Sequence, residues 1–319
     1  MAAAVTKCAL HAVFAASSPA AVIYRRGPSK QTCLIAWDRS DDSFRIGQWF
    51  KGTVKPSWGG LSPDGTWLVS FLAKYRGLFG TYTVLSRPPF FTAVSLWPQG
   101  DTWHGGRWFL SNREMVLANG AGQFDLAPGF PPPPGIRVLP LTRDSRAEIE
   151  RRADTPWRSR PSQQEEVWAG LHGHALRRKA CFEGWGRGMH GSLEEAIEHR
   201  LVIDGGATVD LPRCGWAAFD GNGDLLFSDG GRLYRLPTEA IARQGSTAEL
   251  VASARCLADF SDLTFATVLA PYALPRIEAA AAEDAVPEGY APTLDRTTRE
   301  DRRAAKRRRR VEQRAKQEP

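Results

Sequence analysis

Cysteine is scarce in this sequence, with five residues among 319, and no two of them lie close together. A zinc site built from cysteine needs paired ligands at short spacing, so we predict none. Widely spaced thiols, odd in number, indicate a reducing compartment, and we expect a cytoplasmic protein. The cysteines are Cys8, Cys33, Cys181, Cys214 and Cys256.

Long apolar runs are missing as well. No segment approaches the ~20 consecutive apolar residues of a membrane helix, so we expect no transmembrane segment. One alternative concerns residues 1–21, where Lys7 precedes an apolar stretch and then small residues, as in a weak secretory signal. His11 interrupts that stretch, and the same residues fit a repeat described below, so we prefer the cytoplasmic interpretation.

The sequence also lacks familiar catalytic motifs. It contains no Gly-x-Ser-x-Gly nucleophile elbow, no glycine-rich phosphate loop followed by Lys-Ser/Thr and no dinucleotide-binding fingerprint. We therefore predict no catalytic residue and no cofactor. Whether the chain is an enzyme stays open at this point, because two carboxylates that face each other across a cleft leave no sequence motif.

Net charge is nearly absent from most of the chain. The total is +7, but residues 295–319 hold 11 of the 42 Lys and Arg residues and 5 of the 35 Asp and Glu residues, a net charge of +6. Residues 1–294 are therefore nearly balanced at +1. The basic isoelectric point consequently gives no reason to expect that the folded part binds nucleic acid.

Aromatic and turn-forming residues, in contrast, are abundant. The chain has 11 Trp, 15 Phe, 30 Gly and 22 Pro, a composition typical of short strands joined by tight turns. Three segments repeat one plan, in which a turn-forming cluster leads into a β-rich apolar run. Val22, Val69 and Val116 occupy equivalent positions, 47 residues apart both times, which is near the length of one four-stranded propeller blade.

Several short motifs carry a family resemblance. The turn Ser62-Pro63-Asp64-Gly65 and the turn at residues 220–224 resemble the strand-entry turns of WD-repeat and related bacterial β-propellers. A wider set is similar to an uncharacterised family of bacterial proteins: Arg25-Arg26-Gly27-Pro28-Ser29-Lys30, Trp37-Asp38, Trp49-Phe50-Lys51-Gly52, Leu61 to Gly65, and Trp97-Pro98-Gln99-Gly100-Asp101-Thr102-Trp103. The resemblance implies an all-β, β-propeller-like domain of about five to six blades, which we assign to residues 1–277.

Three segments depart from this plan. Residues 142–170 are charged and interrupted by proline, so we predict an exposed insertion. Residues 192–199 begin with a capping Ser192, followed by Glu195 and apolar residues at helical spacing, which predicts one short helix. Residues 278–319 have too little apolar surface to fold alone, and we predict a disordered basic tail.

Two motifs contain residues that could bind a metal ion, but each also has a simpler interpretation. Residues 220–224 match the start of a calcium loop, but Leu225 and Gly231 stand where glycine and glutamate are needed, so we predict a hairpin turn. His172 and His174 would share one face if residues 171–176 formed a strand. His190, His199, Glu195 or Asp204 would then have to supply a third ligand, and we favour ordinary surface histidines and predict no metal site.

One loop is the best candidate for recognition. Proline prevents ladder pairing in Arg87, Pro88, Pro89 and Phe90, so we expect an exposed tip there, with an ordinary connecting loop as the alternative. Six aromatic residues suggest ligand stacking, but packing between sheets is the commoner use of such side chains. They are Trp58, Trp97, Trp103, Trp108, Phe90 and Phe91.

The tail supplies the second candidate site. It concentrates seven cations within nine residues, a run that attracts nucleic acid or anionic surfaces without sequence selectivity. These cations are Arg302, Arg303, Lys306, Arg307, Arg308, Arg309 and Arg310.

Three functions follow as hypotheses. The first is a non-catalytic propeller platform for a protein or peptide partner, because a propeller displays loops without long free strand edges. The second is a propeller hydrolase or lyase with its site in a central channel. The third is a nucleic-acid-associated protein that acts through the tail.

Overall fold

The computed structural model describes residues 8–75, 77, 79–120, 123–153, 156–160, 165–181, 196–204, 206–212 and 215–272. Strands make up 43% of the structure and helices 9%, which confirms the all-β class. The predicted tail and its seven cations lie outside the described residues. No helix in the described part of the chain is long and apolar enough to cross a membrane.

The described residues form five β-sheets that follow one another along the chain. Sheet 1 consists of β1 (Ala9–Phe14), β2 (Ala20–Arg26), β3 (Gln31–Asp38) and β4 (Ser43–Lys51). Sheet 2 consists of β5 (Thr53–Val54), β6 (Gly60–Leu61), β7 (Leu68–Ala73), β8 (Thr81–Ser86) and β9 (Ser95–Gln99), with a 3-10 helix (Pro56–Trp58) between β5 and β6. Sheet 3 consists of β10 (Phe109–Ser111), β11 (Glu114–Leu117) and β12 (Arg137–Pro140), and β12 runs parallel to β11.

The last two sheets follow helix α1 (Arg146–Arg152). Sheet 4 consists of β13 (Trp157–Arg160), β14 (Glu165–Ala169), β15 (Ala175–Cys181), β16 (Ala196–Val202) and β17 (Thr208–Asp210). Sheet 5 consists of β18 (Ala217–Phe219), β19 (Leu225–Asp229), β20 (Arg232–Leu236) and β21 (Arg255–Asp259), with helices α2 (Thr238–Ile241) and α3 (Thr247–Ser253) between β20 and β21. In each of these two sheets, every strand pairs antiparallel with its neighbour in sequence.

Sheet 1 is covered on both faces, which explains why β2 and β3 are almost continuously apolar. Val22 and Tyr24 face sheet 2, where they share a cluster with Leu68. Ile23, on the opposite face, packs with Leu226 of sheet 5. A strand with one wet face would alternate apolar and polar residues, whereas a strand buried on both faces needs apolar residues throughout.

The predicted valine repeat marks equivalent strands of three successive sheets. Val22 lies in β2, Val69 in β7 and Val116 in β11, and each of these strands is the second member of an antiparallel hairpin. All three side chains are buried. The 47-residue spacing therefore corresponds to one such hairpin in each of sheets 1, 2 and 3.

The N-terminal and C-terminal sheets are joined by a buried cation. Arg25 on β2 is fully buried, and its guanidinium donates hydrogen bonds to the carbonyl oxygens of Phe260 (3.0 Å), Ser261 (2.7 Å) and Gly27. Phe260 and Ser261 directly follow β21. Arg25 thus ties the end of sheet 5 to the second strand of sheet 1.

An ion cluster, which we call the Arg235 cluster, makes a second connection. Arg235 on β20 bonds Asp220 and Asp224 (3.1 Å) of its own sheet and Asp42 (2.9 Å) of the β3–β4 turn. Arg255 adds a second bond to Asp42 (2.7 Å). Three carboxylates and two guanidinium groups therefore meet at the contact between sheets 5 and 1.

One sequence prediction is wrong. The helix expected over residues 192–199 is not formed where the structure describes it, because Ala196–Val202 is strand β16, and residues 192–195 lie outside the described residues. In this strand His199 and Leu201 are buried while Glu198 and Arg200 are exposed, an alternation that outweighs the capping pattern. Residues 142–170, where an insertion is predicted, contain α1, β13 and β14.

Candidate functional site

The connection between β9 and β10, residues 100–108, is organised by one carboxylate. Asp101 accepts hydrogen bonds from the backbone N–H groups of Trp103 (2.8 Å) and His104 (3.0 Å). Its second oxygen lies 3.1 Å from Nδ1 of His104. These bonds lower the pKa of Asp101 despite the opposing effect of partial burial. We call this connection the Trp103 loop.

The second half of the Trp103 loop is strained. Gly105 (φ 125°), Gly106 (φ 57°) and Arg107 (φ 139°) all have positive φ angles, and arginine is rarely found there. A side chain on Gly106 is sterically excluded, because its Cβ would lie 1.9 Å from the carbonyl oxygen of Trp58. The same oxygen accepts the N–H of Arg107 at 2.9 Å. Strain of this kind persists only where the surroundings enforce it, and it concentrates at functional sites.

Two cations lie near the Trp58 ring and connect the Trp103 loop to the 3-10 helix. The Lys55 ammonium lies 3.5 Å from the centre of the Trp58 ring and donates to the carbonyl oxygen of Thr102. The Arg107 guanidinium lies 5.0 Å from the same ring, and burial lowers its pKa. Cations over an aromatic face are held by the ring quadrupole, so Lys55 and Arg107 fix the loop on the 3-10 helix.

The loop presents one aromatic side chain to solvent. Trp103 is 72% exposed, whereas Trp97 and Phe91 are buried in the core, as predicted for interior packing. Trp58 and Trp108 are half-buried. Among the six aromatic candidates, Trp103 therefore differs from the others by being almost free of packing.

Lys55, Asp101 and Arg107 are not among the candidate residues predicted from the sequence. A local signal was present in Gly100 to Gly106, where an aspartate precedes a Gly-Gly pair, as in a tight polar turn. The contact between Lys55 and Thr102 spans 47 residues, and no local pattern predicts it.

The predicted recognition loop lies between β8 and β9 and is partly covered. Arg87 is exposed, and its guanidinium lies 4.7 Å from the ring of Trp67. Pro89 is buried, and Phe90 meets the Tyr272 ring edge-on at 5.9 Å. Pro88 is half-buried between them. Among the four residues of this loop, only Arg87 is therefore largely open to solvent.

The strand that would have placed His172 and His174 on one face does not form at these residues. Strand β15 begins at Ala175, and both histidines lie in the preceding turn, where His172 has φ 54°. His174 is buried and its Nδ1 accepts the N–H of Asp204 at 3.1 Å. Among the described residues, no group of three His, Cys, Asp or Glu side chains is arranged to hold a metal ion; His190 and Glu195 lie outside them.

Residues 220–224 form the predicted hairpin turn between β18 and β19. The Asp220 carboxylate accepts the N–H groups of Asn222 (2.8 Å) and Asp224 (3.0 Å), and its other oxygen bonds Arg235. The turn therefore serves the Arg235 cluster.

Strand β1 carries a histidine, His11, whose pKa lies well below the ordinary value. His11 on β1 is half-buried, and burial lowers its pKa to about 3, with further lowering by the positive charges of Arg178, His199 and Arg26. Arg178 pairs with Glu166 at 2.6 Å. At neutral pH the His11 imidazole is accordingly uncharged.

No protein-family model matches this sequence, and no curated protein sequence matches it either.

Proposed function

We propose that the chain is a five-bladed β-propeller in which each sheet is one blade. The sheets follow one another in sequence, and three of them carry the same buried valine in the second strand of a hairpin. Sheet 1 packs against both sheet 2 and sheet 5, as the first blade of a closed ring must. An experimental structure in which the five sheets form an open row would contradict this proposal.

The propeller acts as a non-catalytic platform that binds a protein partner through the Trp103 loop. The observation that carries this function is an exposed tryptophan on a strained loop that is fixed by Asp101 and Lys55. Tryptophan is the residue type most enriched among the side chains that dominate protein interfaces. A loop that is already ordered loses little conformational entropy on binding, which favours affinity.

The chemistry beside Trp103 defines the partner. Arg107 is half-buried next to the loop, and the nearby Asp101 carboxylate is already engaged by His104. Positive potential around an apolar anchor selects a peptide segment with an apolar side chain flanked by carboxylates. The expected partner is therefore an acidic segment with one apolar or aromatic residue.

A random-peptide display selection on the full chain tests this function. We expect enriched peptides to contain an apolar residue beside Asp or Glu, and Trp103→Ala to weaken their binding about 30-fold, the effect of removing a dominant interface residue. Leu269→Ala is the matched control, because Leu269 is another large apolar side chain that is 79% exposed. Peptides that depend on Leu269 and tolerate Trp103→Ala would overturn the proposal.

The basic tail is the basis for proposing a second activity, the binding of polyanions. Its seven cations within nine residues supply the charge that phosphate neutralisation needs. Deleting residues 295–319 is expected to abolish binding to duplex DNA while the thermal unfolding midpoint stays unchanged. Retained DNA binding would move this activity to the folded part.

A further inference from the structure

A cleft opens where three strand connections of sheets 1 and 2 meet. It lies between the β2–β3 turn, the end of β4 and the β7–β8 turn, and its volume is about 380 Å³. We call it the lysine cleft. Its lining residues are Ser29, Lys30, Gln31, Lys51, Gly52, Lys74 and Tyr75.

The charges of the three cleft lysines have no counter-charge in the described part of the chain. None of them forms an ion pair with a carboxylate among the described residues, and no Asp or Glu lines the cleft. Each ammonium instead lies near an aromatic ring: Lys30 near Tyr75 (5.3 Å), Lys51 near Phe265 (3.9 Å) and Lys74 near Phe50 (5.7 Å). Such contacts position the side chains without cancelling their charge.

The backbone around the cleft is held in unusual conformations. Ser29 (φ 62°) and Tyr75 (φ 58°) are both left-handed, and this region is rare for a bulky residue such as tyrosine. Gly52 forms a close backbone contact, because a Cβ there would lie 2.6 Å from the carbonyl oxygen of Ala73 and 2.4 Å from the Phe50 ring. Strain in two of the turns that line one concave site is a sign of a constrained functional geometry.

We propose that the lysine cleft binds a polyphosphate anion. Lysine ammonium groups are compact point charges that bind phosphates, and three of them around one concave site suit a densely charged anion. Arginine, whose planar fork matches carboxylates as well as phosphates, forms carboxylate pairs elsewhere in the described residues, as in Arg178–Glu166 and Arg200–Asp210, both at 2.6 Å. The cleft is a separate site from the Trp103 loop, and its ligand is recognised by charge.

Calorimetric titration of the full chain with inorganic tripolyphosphate tests this proposal. Low ionic strength is used because exposed charges are then screened least. We expect a saturable binding component that weakens about tenfold in each of Lys30→Ala, Lys51→Ala and Lys74→Ala, the usual loss for one charge-assisted hydrogen bond. Lys179→Ala is the matched control, an exposed lysine on sheet 4, and it should bind as the unaltered chain does.

A variant with Arg307, Arg308, Arg309 and Arg310 changed to alanine separates the cleft from the tail. Retained tripolyphosphate binding in this variant supports the cleft, and loss of binding overturns the proposal. Unchanged binding in the three cleft variants overturns it too, as does preference for a polyglutamate peptide over tripolyphosphate. A parallel titration with vesicles that contain inositol-phosphate headgroups distinguishes a lipid source from a free anion, and both results support phosphate recognition.

Discussion

The Arg235 cluster and the lysine cleft both gather positive side chains at a contact between sheets, but they balance the charge differently. In the Arg235 cluster, two arginines meet three carboxylates, and Arg235 is only 11% exposed. In the lysine cleft, three exposed ammonium groups meet aromatic rings and no carboxylate among the described residues. The comparison indicates that arginine holds the sheets together here, whereas the cleft lysines, which pair with no carboxylate among the described residues, fit the anion site proposed above.

The largest expected effect is on the Arg235 cluster. Arg235→Ala leaves Asp220 and Asp224 without their cation in a poorly solvated position, and we expect a loss of about 3 kcal/mol in the free energy of unfolding. Urea denaturation followed by tryptophan fluorescence measures it. Arg200→Ala is the control, because the Arg200–Asp210 pair is largely exposed and should contribute less than ~1 kcal/mol. Equal losses in both variants would remove the distinction between structural and free cations.

An intermediate effect is expected at His11, whose imidazole is uncharged at neutral pH. Its folded-state pKa of about 3 lies below the ordinary 6.5, so the unfolded chain binds a proton that the folded chain rejects. Stability from this group is therefore present above pH 6.5 and is lost as the pH falls towards 3.

His11→Gln removes this loss. Relative to the unaltered chain, the variant should gain about 2 kcal/mol of unfolding free energy between pH 7.5 and pH 4.5, less than the full value of two pKa units because His11 is partly solvated. Denaturation curves at the two pH values measure the change. Identical pH dependence in both chains would show that the imidazole is charged in the fold.

The smallest effect is expected in the lysine cleft. Lys30→Ala, Lys51→Ala and Lys74→Ala should each change the free energy of unfolding by less than ~0.5 kcal/mol, since an exposed cation over an aromatic ring contributes little. The same denaturation assay measures them. A loss similar to that of Arg235→Ala would make the lysines structural, and the comparison would then fail.

Local patterns in the sequence predicted the strand class, the valine repeat and the hairpin turn at residues 220–224. Each of these depends on alternation or turn chemistry within a few residues. The helix expected at residues 192–199 is wrong over residues 196–199, because the alternation of exposed Glu198 and Arg200 with buried His199 and Leu201 outweighs the capping pattern of the sequence before it.

The two candidate sites were harder to predict because they join distant segments. Lys30, Lys51 and Lys74 stand in three different connections, and only the packing of sheets 1 and 2 brings them to one cleft. Trp97 and Trp103 are six residues apart and equally apolar, yet one is interior and the other is exposed. Trp103 is exposed because the neighbouring glycines and Asp101 form a turn that keeps its side chain away from the core.

The hydrogen bond from Arg25 to Phe260 connects residues 235 positions apart, and this separation affects biosynthesis. A nascent chain presents Ile23 and Trp37 early, but the residues that cover them are translated near the end. During most of elongation, that apolar surface has no partner and is available to chaperones or to aggregation. A ribosome-bound chain that stops before Phe260 should therefore be sensitive to protease. The full-length chain, once released, should be resistant.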